Sequence, residues 1–328
     1  MSGSAPQPPI DTTEYAAVRA GAGLVELGER ALLLVAGPQR QKFLNSLLSN
    51  EVLKLQPGQG CLAALLDVKG HVVALMRVLV AGESVRLELS SEQLATVEAT
   101  LLHYKVAAPV RFTASALRVL ALVGAQARAV VARAGSALPE LAPEQHVEIT
   151  IAGHTLVVVR ASDVPCDGLV LHVEPAEVPA VSEALLAAGA RPLSRVLLDA
   201  LRIEQGLAWY GSDVGPDNLL HETGLVRQYH SSTKGCYLGQ EVVARLEARG
   251  GNVNKGLRGL RLGAACAAGA LVLSDGEGVG RVTSAAVSPR LGPIALAYVH
   301  RNHAAPGTRL TVDEHEAEVV ALPFEVGA

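Results

Sequence analysis

A chain of 328 residues is too long for one average domain, and 49% hydrophobic with 18% charged residues gives it core material for two or three soluble ones. A net charge of −4 excludes whole-chain attraction to nucleic acid or to an anionic membrane. Four cysteines, Cys61, Cys166, Cys236 and Cys266, form no CxxC pair, which excludes a disulfide framework and a self-contained zinc or iron–sulfur ligand set and fits a reducing compartment.

Met1 to Pro9 is small, polar and proline-rich, without a basic start or apolar core, and reads as a disordered lead-in and not a signal peptide. No apolar run approaches the roughly 20 residues that cross a bilayer, so the expected location is cytoplasmic. Ala31 to Ala36 reads as a strand, followed by Gly37-Pro38 and a helical pattern with Phe43, Leu44, Leu47 and Leu48. Gly60 to Ala81 reads as two strands joined by the turn Asp67-Val68-Lys69-Gly70, and Ser91 to Tyr104 has helical spacing. Leu117 to Val123, Gly124 and a helix through Val130 and Val131 repeat the first strand-turn-helix, with Gln39 and Gln126 soon after each glycine. A duplicated half-domain and chance similarity in an Ala/Val-rich chain both account for this.

Val147 to Arg160 and Leu169 to Val173 read as strands around a turn at Pro165 to Gly168, and Val178 to Ala188 as a helix. The mixed order implies α+β domains with antiparallel sheets. From Leu257 onward come short strands with Gly, Pro and Asp breaks: 257–262, 271–273, 278–286, 294–299, 309–312 and 317–321. Six strands without a helix predict a small β-barrel or sandwich.

Two segments carry candidate chemistry. Leu201 to Asp213 gathers Arg202, Glu204, Tyr210 and Asp213 around two glycines and the single tryptophan, Trp209. A buried carboxylate there can accept two hydrogen bonds from an amidine-like ring edge; an Arg202 to Glu204 structural ion pair explains the pattern equally well. The second is Lys234-Gly235-Cys236-Tyr237-Leu238-Gly239-Gln240-Glu241, with Leu238, Val242, Val243 and Leu246 on one helical face and Gly250-Gly251 as its stop. A lysine and a helix start beside Cys236 favour a thiolate; a buried structural cysteine is the competing explanation. Residues 221–262 hold seven Lys or Arg against three acids, a local excess that suits a small polyanion or a solvated face. Phosphate-loop, dinucleotide, HExxH and GxSxG signatures are absent. Gly276, Gly278 and Gly280 fit a turn between strands better than a phosphate cradle, and His300 with His303 fit a loop better than a metal site.

Leu201 to Asp213, then Glu222, then Lys234 to Glu241 resemble the shared pattern of the YgfZ and glycine-cleavage T-protein (GcvT) superfamily, and the KGCYxGQE form resembles its YgfZ branch. Weaker likeness lies in Leu24 to Gly60 and in Gly280 to Val299, which includes Ser288-Pro289-Arg290-Leu291-Gly292. The resemblance implies a three-domain ring: an N-terminal α+β folate-binding region at 1–113, a second α+β region with the KGCYLGQE motif at 114–250, and a C-terminal six-stranded β-barrel at 251–328. It implies tetrahydrofolate or a one-carbon derivative as cofactor. Carried over by position, Glu204 holds the pterin edge, with Arg202 and Tyr210 in the same motif; charge and proximity in sequence make Arg227 and Lys234 partners for the folate carboxylates, and Cys236 is the expected reactive thiol. YgfZ-type members support assembly or repair of iron–sulfur proteins, including one that modifies tRNA, which makes iron–sulfur clients or assembly factors the expected partners, with no direct nucleic acid and no membrane. T-proteins carry a GGxxDD pattern; here the stretch is Gly70-His71-Val72-Val73-Ala74-Leu75, with Ala74 and Leu75 in place of the acids. That substitution argues against an aminomethyltransferase, which stands as the alternative together with a non-catalytic adaptor.

Overall fold

The computed structural model describes residues 10–135 and 137–325; the expectation for Met1 to Pro9 lies outside them. The chain divides into two compact units. One comprises Ala17–Leu193 with Val226–Val242, and the other the residues up to Ala16, Ser194–Leu225 and those from Val243 onward. These units do not coincide with the three expected regions, because 17–193 keeps both of its sheets in one unit while 194–225 groups with the barrel. Among the described residues, no helix is long and apolar enough to cross a membrane.

After α1 (Thr12–Ala20), the chain runs through β1 (Gly23–Glu26), β2 (Arg30–Ala36), α2 (Arg40–Asn45), β3 (Gly60–Leu66), β4 (Val72–Ala81), β5 (Ser84–Ser90), α3 (Leu94–Tyr104) and β6 (Arg111–Ser115). It continues through β7 (Arg118–Val123), α4 (Ala127–Ala134), β8 (His146–Ile151), β9 (His154–Arg160), β10 (Leu169–Val173), α5 (Val178–Ala187) and β11 (Arg191–Pro192). Two sheets result, in the orders β3-β4-β5-β2-β6 and β11-β1-β7-β10-β9-β8.

The two halves are built alike. In each, a strand and a short helix lead into a three-stranded antiparallel meander whose last strand pairs back onto the first, followed by a 3-10 turn and a second helix. Gln39 and Gln126 precede α2 and α4 with nearly the same backbone angles, φ −105°, ψ 14° and φ −102°, ψ 10°. Gly37 and Gly124 turn the chain at φ +117° and +129°, where an added Cβ would lie 2.1 Å from the Pro109 carbonyl and 2.3 Å from that of Val18. Only glycine fits both demands.

Alternation along each strand sends one set of side chains to the helices. Leu33, Met76, Val78, Leu87 and Leu89 pack there with Phe43, Val97 and Leu101, and Leu120, Leu122, Val158, Leu169 and Leu171 with Val130, Val131, Val181 and Leu185. On the other face Arg77 is fully buried among acids, 2.7 Å from Glu88, 2.5 Å from Glu144 and paired with Asp163. Arg30 adds contacts of 3.2 Å to Asp163 and 3.7 Å to Glu88. An uncompensated charge there would cost several kcal/mol, so these carboxylates are a condition for Arg77 to be buried at all.

In the second unit, β12 (Lys255–Leu262), β13 (Leu271–Ser274), β14 (Glu277–Ser288), β15 (Gly292–His300), β16 (Arg309–Val312) and β17 (His315–Val320) close a barrel in the order β12-β15-β14-β13-β16-β17. Leu260, Val282, Ala295, Ala297, Val299, Val312 and Val319 fill it. Closure leaves no free strand edge, as the run of short strands led one to expect. Three expectations change. Residues 147–160 form two strands, split at Ala152-Gly153. Strands β1, β5 and β6 carry charges that masked them. The helix of the KGCYLGQE segment, α8 (Gln240–Ala248), starts four residues beyond Cys236; α6 (Arg195–Glu204) and α7 (Val226–Tyr229) precede it.

Candidate functional site

In the barrel-containing unit, α6 starts at the cap Ser194, whose Oγ accepts the Leu197 N–H at 3.3 Å, and buries Leu197, Leu198, Leu201 and Ile203. Its last turn also buries Arg202 and Glu204. Arg202 donates to Asp199 at 3.0 Å, Asp213 at 2.7 Å, Ser284 at 2.8 Å and the Leu207 carbonyl at 3.2 Å. Its guanidinium lies 5.1 Å from the Trp209 ring, with Arg195 at 5.2 Å. Asp213 further accepts from Thr283 and Ser284, both at 2.6 Å, and from the Trp209 N–H at 3.1 Å.

Glu204 is 1% exposed. The Tyr15 hydroxyl lies 3.1 Å from both its oxygens, Ser288 Oγ donates to one at 2.5 Å, and Arg290 reaches the other at 3.5 Å. A carboxylate has about four lone-pair positions, so a ligand edge would have to displace Tyr15 or Ser288 to reach Glu204. Arg202 and Glu204 thus pin α6 to β14 and the loop after it, each pairing with other residues and not with its neighbour. Tyr210 is half-buried and forms a backbone bridge with Val214.

The buried carboxylate with an open oxygen among the described residues of 194–225 is Glu222. It is 8% exposed; its Oε2 accepts the Leu219 N–H at 3.2 Å and lies 3.9 Å from the Lys255 ammonium, while its Oε1 has no partner among the described residues. Spacing alone could not separate Glu222 from Glu204, because the partners that occupy Glu204 come from Tyr15 and from β14, far away in sequence.

In the two-sheet unit, Arg227 on α7 is exposed and has no acidic partner among the described residues. Lys234 is different. Its ammonium is buried and donates to the carbonyls of Asn45 at 2.7 Å, Asn50 at 3.0 Å and Leu48. Burial pulls its pKa down to about 8, while Glu51 and Cys61 work to raise it. All three N–H donors are spent on the carbonyls at the end of α2 and just beyond it, which lack helical partners. Neither a folate carboxylate nor the Cys236 sulfur can use them without breaking this clip.

The rest of the motif is held as firmly. The Tyr237 ring is buried 4.9 Å from Lys234 Nζ. Gly239 sits at φ +79° against the β3–β4 turn, where a Cβ would lie 2.5 Å from the Asp67 carbonyl and 2.9 Å from Leu66 Cβ. Between these anchors Cys236 is exposed, whereas Cys61 and Cys166 are half-buried and Cys266 is buried. Burial pushes Cys61 up to about 12 and Cys266 to about 11. Because α8 starts at Gln240, Cys236 lies before its first turn, and the helix-dipole support expected for a thiolate does not extend that far. Ala74 and Leu75 are buried on β4, and Ala74 belongs to the helix-side core. His300 and His303 have ring centroids 6.4 Å apart, and no group of three metal-binding side chains occurs among the described residues.

Comparison with known proteins matches residues 7–231 to the GCVT N-terminal domain and residues 255–324 to the glycine cleavage T-protein C-terminal barrel domain. An aminomethyltransferase of Streptomyces coelicolor is 32% identical over 331 residues, covering 95% of this chain and 88% of the relative. One from Nostoc sp. is 30% identical, covering 95% and 87%. The crystal structure of the glycine cleavage system aminomethyltransferase T from Bartonella henselae superposes with a TM-score of 0.86 at 25% identity, covering 95% of this chain and 89% of that one.

Proposed function

This chain belongs to the glycine cleavage T-protein family, and on that footing we propose that it binds tetrahydrofolate or a one-carbon derivative and acts as a folate-dependent aminomethyl-type transferase. The observation that carries this reading is the agreement along the whole chain, with both family domains matched in order and relatives named aminomethyltransferase at 32% and 30% identity. Tetrahydrofolate would supply the amines that accept a one-carbon unit, one in the reduced pterin ring and one in the side chain. The residues fit such a ligand: the amidine-like edge of a pterin offers N–H donors, and Glu222 keeps an open acceptor oxygen in a nearly buried carboxylate. Arg202 and Glu204 would hold the surrounding loop, and Tyr210 would lie beside the ligand.

A second reading is favoured by two specific observations. Ala74 and Leu75 provide no acid for aminomethyl transfer, and the clamped segment presents an exposed Cys236. Both suit a folate-binding accessory factor for iron–sulfur proteins of the YgfZ type, with Cys236 as its working group.

Incubation with tetrahydrofolate and an aminomethylated carrier protein, with methylene-tetrahydrofolate and ammonia as readouts, separates the two. Turnover supports the transferase. Folate binding without turnover leaves the accessory reading. Glu222→Gln is expected to weaken tetrahydrofolate binding by about 5- to 150-fold, the equivalent of about 1–3 kcal/mol for a mispaired buried group; an unchanged dissociation constant would remove Glu222 from the site.

A further inference from the structure

Tyr298 is the neighbour that completes Glu222. It lies on β15, where alternation sends Ala297 and Val299 into the barrel and turns Tyr298 outward. Its cross-strand partners are Leu257 and Arg281. The Leu257 N–H also donates to the Glu222 carbonyl at 2.8 Å, which fixes the 219–223 turn beside Tyr298. Lys255 touches both side chains, with its ammonium 3.9 Å from Glu222 Oε2 and 5.3 Å from the centre of the Tyr298 ring. Although it faces away from the barrel interior, Tyr298 is only 9% exposed, and its hydroxyl is buried with no hydrogen-bond partner among the described residues. Burial, with Asp213 and Glu222 in support, keeps its pKa above the usual phenol value, so the group is a donor.

Buried hydroxyls without a partner are rare because their desolvation goes uncompensated. Here an unpartnered O–H donor and an unpartnered carboxylate oxygen lie around one lysine, and they do not bond to each other. Together they match a ligand edge that carries an N–H donor next to a carbonyl acceptor. Resting on the folate reading above, we propose that Tyr298 is a specificity-determining residue: it donates to the ring carbonyl of a lactam edge whose N–H groups are taken by Glu222, and so selects 4-oxo pterins over 4-amino pterins. In a 4-amino pterin that position carries an N–H donor; the phenol oxygen can accept from it, but the buried Tyr298 proton is then left without an acceptor. Lys255 offsets the Glu222 charge, so a neutral ring is accommodated.

The test is calorimetric titration, under reducing conditions, of the full-length protein and Tyr298→Phe with tetrahydrofolate and with its 4-amino counterpart, tetrahydroaminopterin. The parent is expected to bind the 4-oxo form at least about tenfold more tightly. Tyr298→Phe is expected to lose about 5- to 30-fold in affinity for the 4-oxo form and to keep its affinity for the 4-amino form, so its discrimination falls by that factor and the remainder is what Glu222 contributes through the lactam N–H. Without ligand its Tm is expected to be unchanged or higher, because the substitution removes a hydroxyl that bonds to nothing. If the parent binds neither compound, the folate reading fails and this proposal with it. If the parent binds both equally, or the variant discriminates as the parent does, the role of Tyr298 is overturned while the folate reading stands. Parent discrimination needs no variant, so a misfolded Tyr298→Phe still leaves a decisive measurement.

Discussion

Glu88 and His172 occupy equivalent positions in the two halves of the two-sheet unit, and they hydrogen-bond to each other at 2.8 Å. Each stands two residues before the cap of a 3-10 turn, Ser90 in one half and Glu174 in the other. Each faces away from the helix-side core, opposite to Leu87 and Leu89 or to Leu171 and Val173. The halves therefore meet through the same strand position, filled by an acid in one and a base in the other. Burial works to raise the Glu88 pKa, but Arg77, His172 and Arg30 together hold it below the usual carboxylate range. Burial lowers His172 against the pull of Glu88.

Acid should loosen this unit in two stages. Burial, Arg86 and His172 lower His146 to about 4 from an ordinary 6.5. Between those values the unfolded chain binds a proton that the folded one refuses, so stability falls as pH drops from about 6.5 to 4. Glu88 titrates lower in the folded state than in the unfolded state, so its contribution, present above about 4.5, is lost as pH falls below that value. Urea midpoints measured at pH 7, 5.5 and 4 should decline in that order. His146→Leu should flatten the upper part of the decline; a slope identical to the parent's would show that another group titrates there.

Lys234→Met should destabilise the protein by about 1–3 kcal/mol even though methionine fills much of the lysine stem. The loss comes from the carbonyls of Asn45, Leu48 and Asn50, which would be left without a donor. Chemical denaturation checks it. A variant as stable as the parent would mean that water replaces the ammonium without cost.

Glu204→Ala separates a pin from a ligand contact. The substitution strips partners from Tyr15, Ser288 and Arg290 at once, so ligand-free stability should fall by at least about 1–3 kcal/mol. If denaturation is unchanged while tetrahydrofolate binding weakens, Glu204 meets the ligand directly.

These residues also mark how far the sequence could be read. The repeated strand-turn-helix was legible because Gly37 with Gln39 and Gly124 with Gln126 are local signals, and the barrel because its breaks recur at short intervals. Strand β5 went unread although Val85-Arg86-Leu87-Glu88-Leu89 alternates as a strand does, and nothing local marks Glu88 as buried. Glu88 is buried only because Arg77, its cross-strand neighbour on β4, and His172, from the other half, pair with it. Lys234 reads as a charge beside a thiol until its true partners, more than 180 residues away, are known. Glu204 likewise depends on Tyr15, and what separates it from Glu222 is which lone pairs remain open, a property of tertiary contacts alone.

Cys236 should be the first of the four cysteines to react with a neutral alkylating reagent near neutral pH, by at least about tenfold. The reason is presentation more than electrostatics. Lys234 is turned inward to the carbonyls and α8 begins at Gln240, and Cys236 is an exposed thiol on a segment fixed by Lys234, Tyr237 and Gly239. Cys61 and Cys266 are handicapped by pKa values of about 12 and 11. Timed alkylation with peptide mapping gives the order. Cys236→Ser should leave stability and tetrahydrofolate binding unchanged, because the side chain packs against nothing that the substitution disturbs. What the serine variant does in function then separates the two readings: loss of support for iron–sulfur enzymes in cells assigns the working group to the thiol, whereas full transferase turnover by the variant makes the chemistry independent of it.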